Sequence, residues 1–189
     1  MSAKPGELQD LFANYISEIL GDDFEIWIDP QLSIPALKNK SGKRTLVFRP
    51  DLCVVRKRKK RIELLFDFKM DLGYKRNNFI EQVSERAEEL NVIREKTAKW
   101  SQRKQDEFSF NKKVVWDFVV ISTGNMSKKN LHRVLEASDL IESVNIYFLV
   151  DGEHPNTYAN NYEPAIRFED FRRLRKRISS VISLSLIHI

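Results

Sequence analysis

The chain has 189 residues and a 42% hydrophobic composition, enough to bury one sizeable core. Its single cysteine, Cys53, excludes an internal disulfide and a cysteine-based zinc site, as is typical of a reducing compartment. The formal charge of +5 favours polyanionic partners such as nucleic acid. We therefore expect a cytoplasmic protein with one domain, residues 1–178, and an apolar tail of unassigned role, residues 179–189.

The first half of the chain is predicted to hold a helix, a strand and a hairpin. Residues 6–20 carry apolar side chains at helical spacing, and residues 24–29 (FEIWID) alternate as a strand does. Residues 33–43 have the composition of a loop. Two further strands, at about 45–55 and 62–70, are joined by a short charged connection, which predicts an antiparallel hairpin.

The second half alternates helices with buried strands. A long helix is predicted over 77–105, and a second helix over 127–141. The segments 113–122 and 144–150 are almost wholly apolar, as expected of strands that are covered on both faces. A basic helix follows, and its apolar side would be formed by Phe168, Phe171, Leu174 and Ile178. No apolar run is long enough to predict membrane spanning, and the polar start MSAKPGELQD does not resemble a secretion signal.

This element order predicts an α/β fold, with a mixed sheet flanked by helices. The order is α-β-β-β-α-β-α-β plus the basic C-terminal helix. The front of the sheet should be antiparallel, and strands joined through crossover helices should be parallel.

The predicted hairpin places charges inside its most hydrophobic stretch. Because side chains alternate along a strand, Asp67 and Lys69 share one face, about 7 Å apart at the backbone. Glu63 would share that face as a surface residue at the start of the strand. A carboxylate among Leu and Phe is costly unless it is paired, hydrogen-bonded or bound to a metal. Asp51 on the neighbouring strand would supply a second carboxylate for Mg²⁺. The alternative is an Asp67–Lys69 ion pair, with Asp51 capping the turn after Pro50.

The segments Pro50-Asp51 and Asp67-Phe68-Lys69, set between an amphipathic helix and a long helix, resemble the PD-(D/E)xK nuclease superfamily. The resemblance covers roughly residues 6–150 and implies the restriction-endonuclease-like fold. It also implies that Asp51 and Asp67 bind Mg²⁺, or Mn²⁺ in its place, and that Lys69 is the catalytic lysine. The implied activity is metal-dependent hydrolysis of DNA, in the manner of a restriction endonuclease that acts on duplex DNA, with a homodimer addressing the two strands.

Members of the superfamily often add a carboxylate from the first helix. Glu7 is the preferred candidate here and Glu18 is the alternative, and either residue is also compatible with a solvated helix position. Gln82 is a further catalytic candidate, since some branches carry a glutamine in a comparable helix. The Q-x-x-x-Y form is absent, because Arg86 stands at the fourth place.

Two groups of residues are predicted to contact DNA. One group lies just beyond the motif strand and consists of Tyr74, Lys75 and Arg76. The other lies at the hairpin tip and consists of Arg56, Lys57 and Arg58. The alternative for the hairpin tip is a turn whose charges serve only solubility. The turn at residues 122–125 lacks the phosphate-binding glycine patterns, so no nucleotide cofactor is expected. A repair or recombination nuclease of the same fold and a non-catalytic nucleic-acid-binding module remain the alternative functions.

Overall fold

Apolar periodicities of 3.6 and 2 residues divide the chain into helices and strands. The computed structural model describes residues 5–35, 42, 45–72, 76–124, 126, 128–152 and 165–183. Its helices are α1 (Pro5–Leu20), α2 (Arg76–Ile93), α3 (Lys128–Asp139) and α4 (Phe168–Ser183). Its strands are β1 (Phe24–Ile28), β2 (Leu32–Pro35), β3 (Thr45–Phe48), β4 (Leu52–Arg56), β5 (Arg61–Lys69), β6 (Thr97–Trp100), β7 (Arg103–Phe110), β8 (Trp116–Ser122), β9 (Val144–Asp151) and β10 (Ala165–Ile166).

The strands form one mixed sheet that branches at β5. The central strands are antiparallel from β1 through β4 to β5, then parallel from β5 through β8 to β9, and β10 closes that end antiparallel. The start of β5 also pairs in parallel with β7, from which β6, β2 and β3 continue antiparallel. Strand β5 is therefore hydrogen-bonded along both edges, and seven of its nine residues are buried.

Helices cover both faces of the sheet. Helix α2 buries Phe79, Val83 and Leu90 in a core shared with α3, while α1 and α4 bury residues such as Ile16 and Leu174 in a second core on the other face. The predicted α/β sheet flanked by helices is thus confirmed. No helix in the described ranges is long and apolar enough to cross a membrane.

Two predictions for the region before the hairpin are wrong. Part of the expected loop 33–43 belongs to β2, and residues 36–41 and 43–44 lie outside the described ones. The expected strand 45–55 is two strands: β3 pairs with β2, whereas β4 pairs with β1 and β5. The break falls at Pro50, which has no N–H to donate to a ladder. The hairpin of β4 and β5 itself is confirmed.

The long helix predicted over 77–105 is too long. Helix α2 ends at Ile93, and the antiparallel pair of β6 and β7 follows. Ile93 is also the last apolar residue at helical spacing, and beyond it Ala98 and Phe108 alternate with polar neighbours and are buried. The segment after Ile93 contains no Pro or Gly up to residue 105, but its apolar residues change from a helical to a strand period. That change is the stronger signal.

The C-terminal part agrees with the predictions except at the two ends of α4 and in the short strand β10. Strands β8 and β9 and helices α3 and α4 lie where the pattern places them. Phe168, expected on the apolar side of the basic helix, begins α4 and is 76% exposed, whereas Leu174 and Ile178 are fully buried. Helix α4 continues beyond residue 178, and Val181 is buried in the second core. Residues 184–189 lie outside the described ones.

Candidate functional site

The end of the β4–β5 ladder fixes the position of Asp51. The last pair of this ladder joins Leu52 to Phe66, so β5 continues past the end of β4. The Phe68 N–H donates to the Asp51 carboxylate at 2.6 Å, which replaces the backbone carbonyl that β4 no longer supplies there. The Asp51 carbonyl accepts a hydrogen bond from the N–H of Asp29 at 2.9 Å. Asp51 is thus held against β5 by its side chain and against the end of β1 by its backbone.

Asp67 and Lys69 lie on the face of β5 that is turned towards α2, as alternation predicts. Phe66 and Phe68 pack into the core on the opposite face, with α1 and α4. Asp67 is 5% exposed, whereas Lys69, at the end of the strand, is partly exposed. The alternative of an Asp67–Lys69 ion pair is not what the structure contains, because the salt bridge of Asp67 is made by Arg86 of α2 at 3.4 Å.

A polar stripe on α2 faces these residues. Gln82, Glu85, Arg86 and Glu89 are spaced by three and four residues and lie on one side of the helix. Together with Asp51, Asp67, Lys69 and Arg49 they line a pocket of about 290 Å³. The pocket therefore brings together four carboxylates and three permanent or near-permanent cations, a set suited to a divalent cation and a phosphate group.

Burial changes the protonation chemistry of the pocket. Desolvation raises the pKa of the Asp67 carboxyl, and the Asp51 carboxylate contributes to the rise, while Arg86 and Lys69 oppose it. For Arg86, burial disfavours the charged form, but Asp67 and Glu89 outweigh burial and raise the pKa of its guanidinium. A carboxylate whose burial disfavours ionisation, with the cations Arg86 and Lys69 beside it, is a common feature of functional sites.

The donor set can be tested against the Mg²⁺ that the motif implies. Among the residues that the structure describes, no three His, Cys, Asp or Glu side chains are arranged to hold a metal ion. Mg²⁺ usually takes only one or two carboxylates and keeps water or substrate phosphate as its other ligands. Asp51 and Asp67 are close enough to influence each other's charge and open into one pocket, so they fit such a two-carboxylate cation.

The two glutamates that were predicted to add a carboxylate lie on α1. Glu7 and Glu18 are exposed residues of α1, which packs on the face of the sheet opposite α2, where Phe12 lies 4.7 Å from Phe68 between ring centroids. Neither glutamate lines the pocket. The acids that join Asp51 and Asp67 in the pocket come from α2, and a catalytic role for Glu7, or for Glu18 as its alternative, stays a prediction. Gln82 does line the pocket, as an exposed residue at its rim.

The predicted DNA contacts divide into three groups. Lys57 and Arg58 are exposed in the turn between β4 and β5. Tyr74 and Lys75 lie outside the described residues, and for Arg76 only the backbone at the start of α2 is described. Arg56 is only 5% exposed, so it does not face solvent as a DNA contact would.

The guanidinium of Arg56 makes its contacts inside the protein instead. It forms an ion pair with Glu63 at 2.8 Å and donates to the Val181 carbonyl. Glu63 is buried, contrary to its expected surface position, and it also accepts from Arg61 and Asn111. The cause is a register irregularity opposite Val54 and Val55, which interrupts the alternation of β5.

A second buried acid provides a contrast to Asp67. Asp117 of β8 is fully buried and accepts hydrogen bonds from Asn145 and Tyr147, and it pairs with Arg177 of α4 at 3.3 Å. Burial raises the pKa of the Asp117 carboxyl, as it does for Asp67. Asp117 is enclosed between the sheet and α4, and its network ties α4 to β8 and β9.

Comparison with protein-family models, with curated proteins and with solved structures gives no match to this chain. The sequence motif indicated Asp51, Asp67 and Lys69, and the structure brings all three into one pocket. The sequence motif did not indicate Arg49, Glu85, Arg86 or Glu89, which also line the pocket. The three α2 residues could have been found as a polar stripe beside the apolar stripe of the helix, at the same 3.6-residue period.

Proposed function

We propose that this protein is a Mg²⁺-dependent endodeoxyribonuclease of restriction-endonuclease-like fold. The proposal is supported by the order of elements around β5: a helix before β1, an antiparallel β4–β5 hairpin, the helix α2, and then the parallel strand β8. Taken without the further strands, this resembles the helix–strand–hairpin–helix–strand order that the motif implies, whereas the full strand order differs from the predicted one. Strands β2, β3, β6, β7 and β10 are additions to it.

The observation that carries the proposal is the meeting of Asp51, Asp67 and Lys69 in one open pocket. The β4–β5 hairpin brings these groups together, and the fold holds Asp67 there although its burial disfavours the charge. An acid retained at such a cost is expected to have a function, because apolar residues would stabilise the strand better.

Each group has a role in phosphodiester hydrolysis. Asp51 and Asp67 would hold Mg²⁺, or Mn²⁺ in its place. When bound, the cation would acidify a water molecule and stabilise negative charge on the phosphodiester. The Lys69 ammonium, at the end of β5, would orient the attacking water or neutralise the scissile phosphate. Arg49, exposed at the pocket rim, would bind a neighbouring phosphate.

A single active site would cut one strand at a time, so cleavage of a duplex favours a homodimer with two sites. A restriction endonuclease is the proposed role. A repair or recombination nuclease would use the same chemistry on a different DNA substrate.

The test is cleavage of DNA by the purified protein in Mg²⁺ or Mn²⁺, with chelator as the negative control. Supercoiled plasmid, linear duplex and single-stranded DNA should all be offered, because the preferred substrate is a separate question. Asp67→Ala should abolish cutting. Asp139→Ala, a change of an exposed acid at the end of α3, should leave it intact. Uncut DNA of all three kinds, or cutting by Asp67→Ala at the wild-type rate, would overturn the proposal.

A second candidate, a non-catalytic nucleic-acid-binding module, is favoured by one observation. Asp67 is ion-paired with Arg86, as a purely structural acid would be. This candidate requires salt-sensitive DNA binding without cleavage, and Lys69→Ala would then leave binding and all other behaviour unchanged.

A further inference from the structure

Arg86 occupies an unusual position between two acids. Its Nε lies 3.4 Å from the Oδ2 of Asp67, and its Nη1 lies 2.8 Å from the Oε2 of Glu89, one helical turn further along α2. The guanidinium carbon also lies 4.9 Å from the ring centroid of Trp116, which is fully buried in β8. The closer contact of Arg86 is thus with Glu89, and the looser one is with the proposed metal ligand.

The geometry points to Arg86 as a displaceable counter-ion that holds Asp67 until a divalent cation replaces it. This inference rests on the proposed function and adds a regulation to the same pocket. In the cation-free protein, Arg86 offsets part of the charge of a carboxylate that is only 5% exposed. Once a divalent cation has replaced Arg86 at Asp67, the guanidinium of Arg86 keeps its contacts with Glu89 and with the ring face of Trp116.

The physical reason is competition for one carboxylate. A cation can use Asp67 only if the electrostatic attraction to Arg86 is reduced, because two positive groups against one acid repel each other. Removing the charge of Arg86 should therefore strengthen divalent cation binding. Removing the charge of Glu89 should weaken divalent cation binding. Arg86 then has Asp67 as its main acidic partner in the pocket, so the cation has to compete with a more tightly held arginine.

These opposite effects distinguish the inference from a purely structural role for the α2 stripe. If Arg86 and Glu89 only supported the shape of the pocket, neutralising either of them would weaken cation binding or leave it unchanged. A control is available on the same helix: Glu88 is exposed and does not line the pocket.

The experiment measures Mn²⁺ binding without DNA, by calorimetry or by the electron paramagnetic resonance of free Mn²⁺, at one fixed alkaline pH. Wild type, Asp67→Asn, Arg86→Gln, Glu89→Gln and Glu88→Gln are compared, each first checked for folding by circular dichroism. Arg86→Gln should bind Mn²⁺ about fivefold more tightly, the change expected for losing one partly exposed ion pair at the strong end of the usual range. Glu89→Gln should bind it more weakly than wild type, and Glu88→Gln should match wild type.

The outcomes separate this inference from the proposed nuclease function. If wild type binds Mn²⁺ through Asp67 but Arg86→Gln binds no more tightly, the counter-ion role is overturned while the metal site stands. If neither wild type nor Arg86→Gln binds Mn²⁺, both are overturned. Should Arg86→Gln fail to fold, Arg86→Met, which keeps much of the side-chain length without the charge, takes its place: tighter Mn²⁺ binding than wild type supports the inference, and unchanged or weaker binding overturns it.

Discussion

Replacing Asp67 with asparagine should make the protein more stable at neutral pH, by about 1 kcal/mol in the free energy of unfolding. The carboxylate is 5% exposed, and burial raises its pKa because the charged form loses its hydration. An amide of the same shape costs less to bury. The substitution does give up the ion pair with Arg86, but that arginine is 28% exposed and keeps Glu89 as a partner. The relief of desolvation is therefore the larger effect.

The sign of the pH dependence follows from the raised pKa. Between the ordinary value of 3.8 and the raised value, the folded protein binds more protons at Asp67 than the unfolded chain does. The contribution of Asp67 to stability therefore falls as pH rises through this window. Below it the carboxyl is neutral in both states, so asparagine and aspartic acid should behave alike. The stability difference between Asp67→Asn and wild type should consequently be small in acid and grow towards neutral pH.

Urea unfolding followed by circular dichroism at several pH values measures this difference directly. Asp139→Asn, at an exposed position of α3, is the matched control and should change stability by less than about 0.5 kcal/mol. A variant that is less stable than wild type at neutral pH, by an amount that disappears in acid, would refute the reasoning. In that case the Asp67–Arg86 pair would be a stabilising element of the fold.

Three further outcomes are expected. Arg177→Met should lower the free energy of unfolding by about 3 kcal/mol, because it leaves Asp117 buried without its cation, and urea unfolding at wild-type values would contradict this. Glu63→Gln should cost about 2 kcal/mol in the same assay, since charge-assisted hydrogen bonds are lost at a buried carboxylate; an unchanged midpoint would count against it. The double change of Lys57 and Arg58 to alanine should reduce the slope of log affinity for DNA against log salt by about 2, and an unaltered slope would remove the turn from the DNA interface.

The part of the site that depends on local pattern was predictable from the sequence. A period of two along β5 places Asp67 and Lys69 on one face and Phe66 and Phe68 on the other, and this rule holds wherever the ladder is regular. It fails at Glu63, because the register irregularity opposite Val54 and Val55 cannot be read from residue types. The acid that looked like a surface residue is therefore buried.

The contribution of α2 could not be predicted in the same way. Whether Arg86 meets Asp67 depends on how α2 is rotated and placed over the sheet, which is set by the packing of Phe79, Val83 and Leu90. The sequence predicted the apolar side of this helix but not which polar neighbours would face β5. Likewise, the placement of α1 on the face of the sheet opposite α2 is a property of the whole fold.

The most direct test of catalysis at this pocket is the single-turnover rate of DNA cleavage by Lys69→Met, measured together with DNA affinity. Lys69 lies at the end of β5, where its ammonium would act on the phosphodiester without being needed for folding or general binding. The control is Lys129→Met, at an exposed position of α3. We expect Lys69→Met to bind DNA nearly as wild type does and to cleave it about 100-fold more slowly, with Lys129→Met unaffected. Cleavage by Lys69→Met at the wild-type rate would contradict the proposed role of the pocket.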